Sequence, residues 1–485
     1  MDRDENRKPN KPIYLFPILI LFLAVSFTII TRTNLCRIYL LKSTFLHRPN
    51  FFQSLSKFLH SNPNPNPIPK QNEIAEPNYC VLWMAPFLSG GGYSSEAWSY
   101  ILALNSHNKK QKNPFFKLSI DHHGDQENVE FWEGLPQEMR DLAIELHNTE
   151  CRLNQTVVVC HSEPGGWYPP LFQTHPCPPA GYGLFKVVVG RTMFETDRVN
   201  SEHVNRCNKM DYVWVPTDFH VDTFTQSGVD PTKIRKIVQP VDSDFFDPFR
   251  VDPMDLDPLG SLVLGSKGSD SRKPFVFLSV FKWEYRKGWD VLLRAYLKEY
   301  SSGDDVALYL LTNAYHSEND FSNNIVDFVE SSDMEKPSDG WAKIYVIDQH
   351  VPQVDLPRLY LAADAFVLPT RGEGWGRPIV EAMAMSLPVI ATNWSGPTEY
   401  LTEENSYPIP IVGVSEVEQG PFKGHLWAEP CVDQLRILMR RVVMNRDEAR
   451  AKGAKARLDM VRRFSPEIVA EGIIDHLQGI VDVFH

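Results

Sequence analysis

"AFVLPTRGEGWGRPIVEAMAMSLPVIAT", Ala365 to Thr392, holds four elements in a row. "AFVLPT" is an apolar run of strand type, and "LPVIAT" is another. "RGEGWG" between them is a loop with three glycines. "PIVEAMAMS" has helical spacing, with Pro378 at its start, where a missing N–H costs nothing. Strand, loop, helix and strand in that order make a crossover between parallel strands, the unit of a doubly wound α/β sheet. Gly372, Gly374 and Gly376 let backbone N–H groups approach a ligand closely. Glu373 stands in the loop and Glu381 in the first turns of the helix. Read blandly, they are a turn residue and a partner of the helix dipole. Their place between a strand and a helix gives them more weight than a carboxylate pair alone.

The same rhythm extends toward the N-terminus. "PFVFLSVF", "VALYLLT" and "AKIYVID" precede this stretch as strand-like runs. Before them comes "DPMDLDPLGSLVLGSKGSDSRK", 252 to 273, rich in Gly, Pro, Ser and Asp. Earlier still, "CVLWMAP", "FFKLSID", "TVVVCHS", "LFKVVVG" and "YVWVPT" alternate with helical patterns. Two Rossmann-like doubly wound domains are expected, 79–255 and 270–460, with a helix at 461–485. In such sheets ligands bind beyond the carboxyl ends of the strands, so functional residues are sought there.

The remaining sequence constrains class and partners. A net charge of −12 leaves no basic surplus for nucleic acid. After a charged tail, 1–12, "IYLFPILILFLAVSFTII" (Ile13 to Ile30) runs without a charge, near the minimum for a membrane span. Its rival reading is a signal peptide cut near Ala24-Val25-Ser26. The apolar run continues past that site and favours a transmembrane anchor, followed by a Pro/Asn-rich stem at 31–78. Flanking Lys and Arg are balanced, so orientation is open. Seven cysteines show no metal spacing. They read as buried free thiols, or as one disulfide among Cys151, Cys160, Cys177 and Cys207. Asn154-Gln155-Thr156 and Asn393-Trp394-Ser395 are sequons.

Other candidate chemistry follows strands. Lys282, Arg286 and Lys287 come after a strand ending near Phe281 and before a helix, an arrangement suited to a diphosphate. Its bland reading is a solvated basic turn. Gly90-Gly91-Gly92 lie between a strand and a helix, where the bland reading is a tight turn. His161 closes "TVVVCH" and is placed to face the cleft, where it contacts a sugar or takes an acceptor proton; a structural role is the alternative. His122, His123 and Glu195 are further cleft groups. Trp83 and Trp98 read as core. Asp242/Asp244 and Asp255/Asp257 form two Asp-x-Asp pairs, read as framework and linker rather than as metal ligands.

These motifs together resemble the retaining glycosyltransferases of family 4, glycosyl transferases group 1, with the GT-B fold. "EGWGRPIVE" is similar to that family's E-x7-E motif, and Lys282 and Lys287 to its basic pair. "MFETDRV", "VWVPTDFHVDTFTQSGVDPTKI", "VDSDFFDP" and "RRFSPEIVAEGI" resemble its framework, and the likeness spans roughly 79 to 485. The resemblance is to a plant-like, membrane-anchored member. It implies that Glu381 holds the donor ribose and that Glu373 binds a donor-sugar hydroxyl. The amides of Gly374, Trp375 and Gly376 would face sugar and phosphate, with Gly91 and Gly92 nearby. Lys282 and Lys287 would neutralise the diphosphate, with Arg286 as an addition, and Ile347 falls where the base is contacted. Lysine at 282, where many members carry arginine, keeps the charge but loses the fork.

The expectation is therefore a metal-independent hexosyl transfer from a UDP- or GDP-sugar, without a cofactor, to an acceptor that one sequence does not reveal. The enzyme would be anchored in the Golgi or endoplasmic reticulum membrane. The alternative is a catalytically silent sugar-nucleotide-binding protein. A related phosphorylase would want a pyridoxal lysine in a much longer chain.

Overall fold

The computed structural model describes residues 79–112, 114–266, 273–314 and 320–483. The expected tail, anchor and stem lie outside the described residues. Among the described residues, no helix is long and apolar enough to cross a membrane.

The first half builds β1 (Cys80–Ala85), α1 (Gly92–Lys110), β2 (Lys117–His122), α2 (Val129–Gly134), α3 (Gln137–His147), β3 (Thr156–His161), β4 (Val187–Arg191), α4 (Ser201–Cys207), β5 (Tyr212–Val215), α5 (Asp218–Ser227) and β6 (Ile234–Lys236). The six strands form one sheet in the order β2-β1-β3-β4-β5-β6, parallel throughout. Both faces are covered, which explains the unbroken apolar runs. Val81, Trp83, Val157 and Val159 face one cluster, while Leu82, Met84, Val158 and Cys160 face the other.

The second half adds β7 (Ser261–Leu264), β8 (Phe275–Trp283), α6 (Trp289–Glu299), β9 (Val306–Ala314), α7 (Phe321–Ser331), β10 (Lys343–Ile347), α8 (Leu356–Leu361), β11 (Ala365–Leu368), α9 (Arg377–Ala384), β12 (Val389–Thr392), β13 (Tyr407–Ile409), β14 (Ile411–Glu416), β15 (Leu426–Pro430), α10 (Val432–Met444), α11 (Arg446–Phe464) and α12 (Pro466–Val483). Seven strands run β13-β12-β11-β8-β9-β10-β7. All pairs are parallel except β7 with β10. After the edge strand β7 the chain enters the centre with β8 and winds outward one way, then returns through β11 and winds the other. The switch point therefore lies between β8 and β11, where a crevice opens at the strands' carboxyl ends. β14 and β15 form a separate hairpin.

Three details depart from the sequence reading. The Gly/Ser-rich stretch is not all connection, because Ser261–Leu264 is strand β7 on the edge of the second sheet. β8 continues past Phe281 to Trp283, so Lys282 sits within the strand. The C-terminal region is two helices that part at Ser465. Ala470, Ile473 and Leu477 of α12 enter the core of the first sheet beside Ile101 and Leu104 of α1.

The cysteines depart further. Cys80 is bonded to Cys151 and Cys160 to Cys177, while Cys207 and Cys431 are free. Buried free thiols were the favoured expectation, with one disulfide among Cys151, Cys160, Cys177 and Cys207 as the alternative; Cys160–Cys177 falls within that set, and Cys80–Cys151 does not. The pairing partners sit on loops and strands that only the folded sheet brings within reach.

Candidate active site

Glu373 sits at the switch point. It is buried, and Lys287 Nζ donates to both its oxygens at 2.7 and 2.8 Å. Arg286 Nη1 is 3.5 Å from one of them and 2.6 Å from the Gly372 carbonyl. Burial pushes the carboxyl up, but Lys287 and Arg286 overcome it and hold Glu373 below the ordinary carboxylate range. Burial lowers the Lys282 ammonium; Glu284 opposes this, and the charges of Lys287 and Arg286 add to it. Lys287 and Arg286, just after β8, thus meet one carboxylate after β11, with Lys282 at the end of the strand beside them.

The loop itself is held from behind. Arg371 is buried and forks onto Asp290 at 2.8 Å through both terminal nitrogens. It also reaches Glu429 and lies 3.7 Å over the Tyr285 ring. Glu373 N donates to Ser395 Oγ at 3.0 Å, and Gly396 N returns a bond to the Glu373 carbonyl. The sequence reading missed Arg371 and Ser395. Arg371 stood beside the motif, but its partners lie 58 and 81 residues away.

The glycines have a second cause besides ligand approach. A Cβ on Gly372 would lie 2.1 Å from the Glu195 carbonyl oxygen, and one on Gly374 would lie 2.7 Å from Met193 Sδ. The loop therefore packs directly against the segment that follows β4 of the first sheet. Beside it, Asp197 N donates to the Leu426 carbonyl and Leu426 N to Asp197 Oδ1, tying the β14–β15 hairpin to the same segment. Gly376 has φ +93°, the left-handed turn that starts α9. Glu195 itself comes within 3.6 Å of Arg286.

Glu381 lies one helical turn deeper. It accepts from the Tyr360 hydroxyl at 3.0 Å, with Arg377 3.7 Å away. Burial raises its carboxyl despite both neighbours. The Trp375 side chain packs among Tyr400 and Phe464, so only its amide can serve a ligand. Ile347 likewise ends β10 with its side chain in the core. Gly91 N donates to Ser89 Oγ at 3.2 Å, and Gly91 caps α1, which begins at Gly92.

His161 does not face the cleft. It shares strand parity with Val157 and Val159 and so turns toward α1, fully buried. Trp83 Nε1 donates to its Nδ1 at 3.0 Å, so its proton is on Nε2, which donates to Glu96 Oε2 at 3.0 Å. Arg191 clamps the other Glu96 oxygen at 2.8 and 2.5 Å. Burial lowers the imidazole in spite of Glu96. Both ring nitrogens are spent, so His161 is a structural group of a buried network. His122 Nε2 and His123 Nδ1 meet the carbonyls of Asp125 and His175 at 2.9 and 2.5 Å. Trp83 and Trp98 are core residues. Asp242 Oδ1 accepts from Asp244 N and Phe245 N, and Asp255 Oδ1 from Asp257 N, so both pairs shape turns.

Two parallel sheets joined at their carboxyl ends, with the loop after β11 at the seam, define a GT-B-like glycosyltransferase fold. Residues 272–414 match the family profile "Glycosyl transferases group 1". Anabaena HepE, solved in complex with UDP and glucose, is similar at 12% identity over 83% of this chain and 100% of its own, with a TM-score of 0.52. Sucrose-phosphate synthase from Thermosynechococcus elongatus gives 12%, 84%, 100% and 0.53 in the same terms. A glycosyltransferase from Rickettsia africae gives 16%, 83%, 99% and 0.51. The O-antigen chain mannosyltransferase B of Escherichia coli is 46% identical over 55 residues, 11% of this chain. That match spans 14% of the mannosyltransferase's length. The matches agree on one class, the glycosyltransferases.

Proposed function

We propose that this chain is a retaining glycosyltransferase that moves a hexosyl group from a nucleotide-diphosphate sugar without a metal ion. The carrying observation is Glu373, enclosed at the switch point and gripped by Lys287 beside Arg286 and Lys282. Breaking the bond between sugar and diphosphate leaves positive charge on the ring and negative charge on the leaving group. Cations already in place stabilise the second without reorganisation. Burial lowers the Lys282 ammonium and the charges of Lys287 and Arg286 add to it; a diphosphate beside them would favour the charged form.

In this reading Lys282, Arg286 and Lys287 turn to the diphosphate, while Glu373 binds a donor-sugar hydroxyl beside the forming charge. Glu381 accepts from the ribose diol. The amides of Gly374, Trp375 and Gly376 and the start of α9 face the phosphate and sugar. His161 is enclosed, so the departing diphosphate oxygen takes the acceptor's proton. UDP is the first donor base to test, since HepE was solved with UDP-glucose. Two disulfides favour an oxidising compartment and support a catalytic body in the lumen of the Golgi or endoplasmic reticulum.

The test is a titration with UDP- and GDP-sugars under chelator, followed by the anomeric configuration of the product. Tight binding with turnover and a retained anomer is the expected result. A donor that binds only when a divalent ion is restored would overturn the metal-independent reading, and an inverted product the retaining one.

A further inference from the structure

Between β3 and β4 the chain makes a long excursion over the first sheet, residues 162–186, and holds it rigid. Trp167 is fully buried and presses so closely on β4 that a Cβ on Gly190 would lie 2.3 Å from its ring. The Cys160–Cys177 bond closes the base of the loop. Tyr168 N donates to the Cys177 carbonyl, Leu171 N to Gly165, and Arg206 Nη2 to Pro169. Thr174 Oγ1 both accepts from Gly124 N and donates to its carbonyl.

This fixed loop holds apolar groups out in water. Phe172 is 43% exposed, Leu171 53% and Tyr168 38%. A preorganised loop that presents aromatic rings marks a binding surface. A carboxylate is built into it. Phe172 Cε1 and Glu163 Oε1 each lie 3.3 Å from the point where Gly165 would carry a Cβ, and His203 Nε2 pins that oxygen at 3.1 Å. Next to Glu163 runs the loop after β2, for a Cβ on Gly124 would touch Ser162 Cβ at 3.3 Å. That loop carries Asp125, whose carboxylate reaches Gly91 at the start of α1. Asp125 in turn lies within electrostatic reach of Lys282 at the end of β8, so ring, two carboxylates and the Gly-rich turn form a path toward the cations.

We propose that Phe172, Glu163 and Asp125 form the acceptor subsite and that the acceptor is a neutral glycan. This rests on the transferase reading above. A sugar ring offers a C–H face to an aromatic ring and hydroxyl donors to carboxylates. A lipid tail on Phe172 would strip water from Glu163 without giving it a donor. An anionic acceptor would add a third negative charge where burial and Glu163 already raise the Asp125 carboxyl.

The experiment has two independent readouts on the full-length protein. Saturation-transfer NMR without donor measures binding of neutral gluco-, galacto- and manno-oligosaccharides, a uronate-bearing oligosaccharide and a long-chain alkyl glycoside. Donor affinity is measured separately with UDP- and GDP-sugars. We expect a neutral oligosaccharide to bind best, and Phe172→Ala and Glu163→Gln each to weaken it about tenfold, with donor affinity unmoved. Phe172→Leu, which keeps apolar volume but no ring, should behave like Phe172→Ala. Preferred binding of the uronate or the alkyl glycoside, or glycan binding indifferent to both substitutions, overturns the subsite. Glycan binding that depends on Phe172 in a protein that binds no nucleotide sugar upholds the subsite and overturns the transferase.

Discussion

The crevice between β8 and β11 and the strand ends of the first sheet are built alike and use their polar residues oppositely. In the second sheet, Glu373 leaves β11 on a loop, and Lys287 and Arg286 leave β8 on a short turn, so the charges meet at the strand ends. In the first sheet, His161 is still part of β3 and obeys its alternation. It turns into the layer under α1 and joins Trp83, Glu96 and Arg191. Glu373 is the fifth residue past β11 and can meet substrate, whereas the last residue of β3 holds the fold. A histidine at a strand's end is thus weaker evidence of chemistry than a carboxylate carried on the loop beyond one.

The largest effect expected from this contrast is on the second sheet. Glu373→Gln removes the charge that Lys287 and Arg286 grip, and transfer should fall about 10³-fold, or about 4 kcal/mol. Donor affinity should change only severalfold, because the cations remain. Parallel measurement of single-turnover transfer and donor Kd decides it. Equal loss of both would make Glu373 a binding group only.

On the first sheet the matching substitution should strike the fold instead. Arg191→Met leaves Glu96 buried beside a neutral imidazole and the Tyr100 hydroxyl, with its cation gone. Removing one partner of a buried pair costs about 3 to 4 kcal/mol, read as a drop in the urea midpoint. The carboxyl of Glu96 is held at about 2 by Arg191 and His161 against the burial that pushes it up. Its contribution is therefore present above the ordinary carboxylate value of about 4.3 and fades as pH falls toward about 2.

Gly372→Ala probes the seam where the halves touch. The added Cβ meets the Glu195 carbonyl oxygen at 2.1 Å, so the loop must shift from the first domain. Misplacing a reacting group by about 1 Å costs about 10²-fold. We expect that loss in kcat with the unfolding midpoint nearly kept. Unchanged kcat would show that the closed seam is not the reacting form.

The contrast also explains what the sequence could convey. The crossover at 365–392 was readable because its signals are local: a strand run, three glycines, a proline at the helix start. The cations after β8 were readable for the same reason. The glycines' contact with Met193 and Glu195 was not, because it joins positions about 180 residues apart. The fork of Arg371 onto Asp290 and Glu429 is equally non-local. For His161 a local signal did exist. Val157, Val159 and His161 alternate along one strand, and a helix rich in Trp and Tyr, α1, was available to cover that face. Pairing of Cys80 with Cys151 had no local trace, since Cys80 belongs to the first strand and Cys151 precedes the third.

The smallest effect gives the sharpest discrimination. If His161 only accepts from Trp83 and donates to Glu96, His161→Gln forfeits one or two buried hydrogen bonds, about 1 to 2 kcal/mol. Transfer by the folded fraction should keep its rate and its pH profile between pH 6 and 8. A general acid or base at this position would instead cost about 10²-fold or more and remove a limb of that profile. Stability should show a complementary change. The imidazole is lowered in the fold, so the unfolded chain takes the proton first, and stability falls as pH drops below about 6.5. His123, lowered to about 4, and His220, lowered to about 3, act with the same sign. In His161→Gln the acid slope should therefore weaken by one proton's share, at most about 1.4 kcal/mol per pH unit, and not vanish. An unaltered slope with an altered rate profile would return His161 to the chemistry.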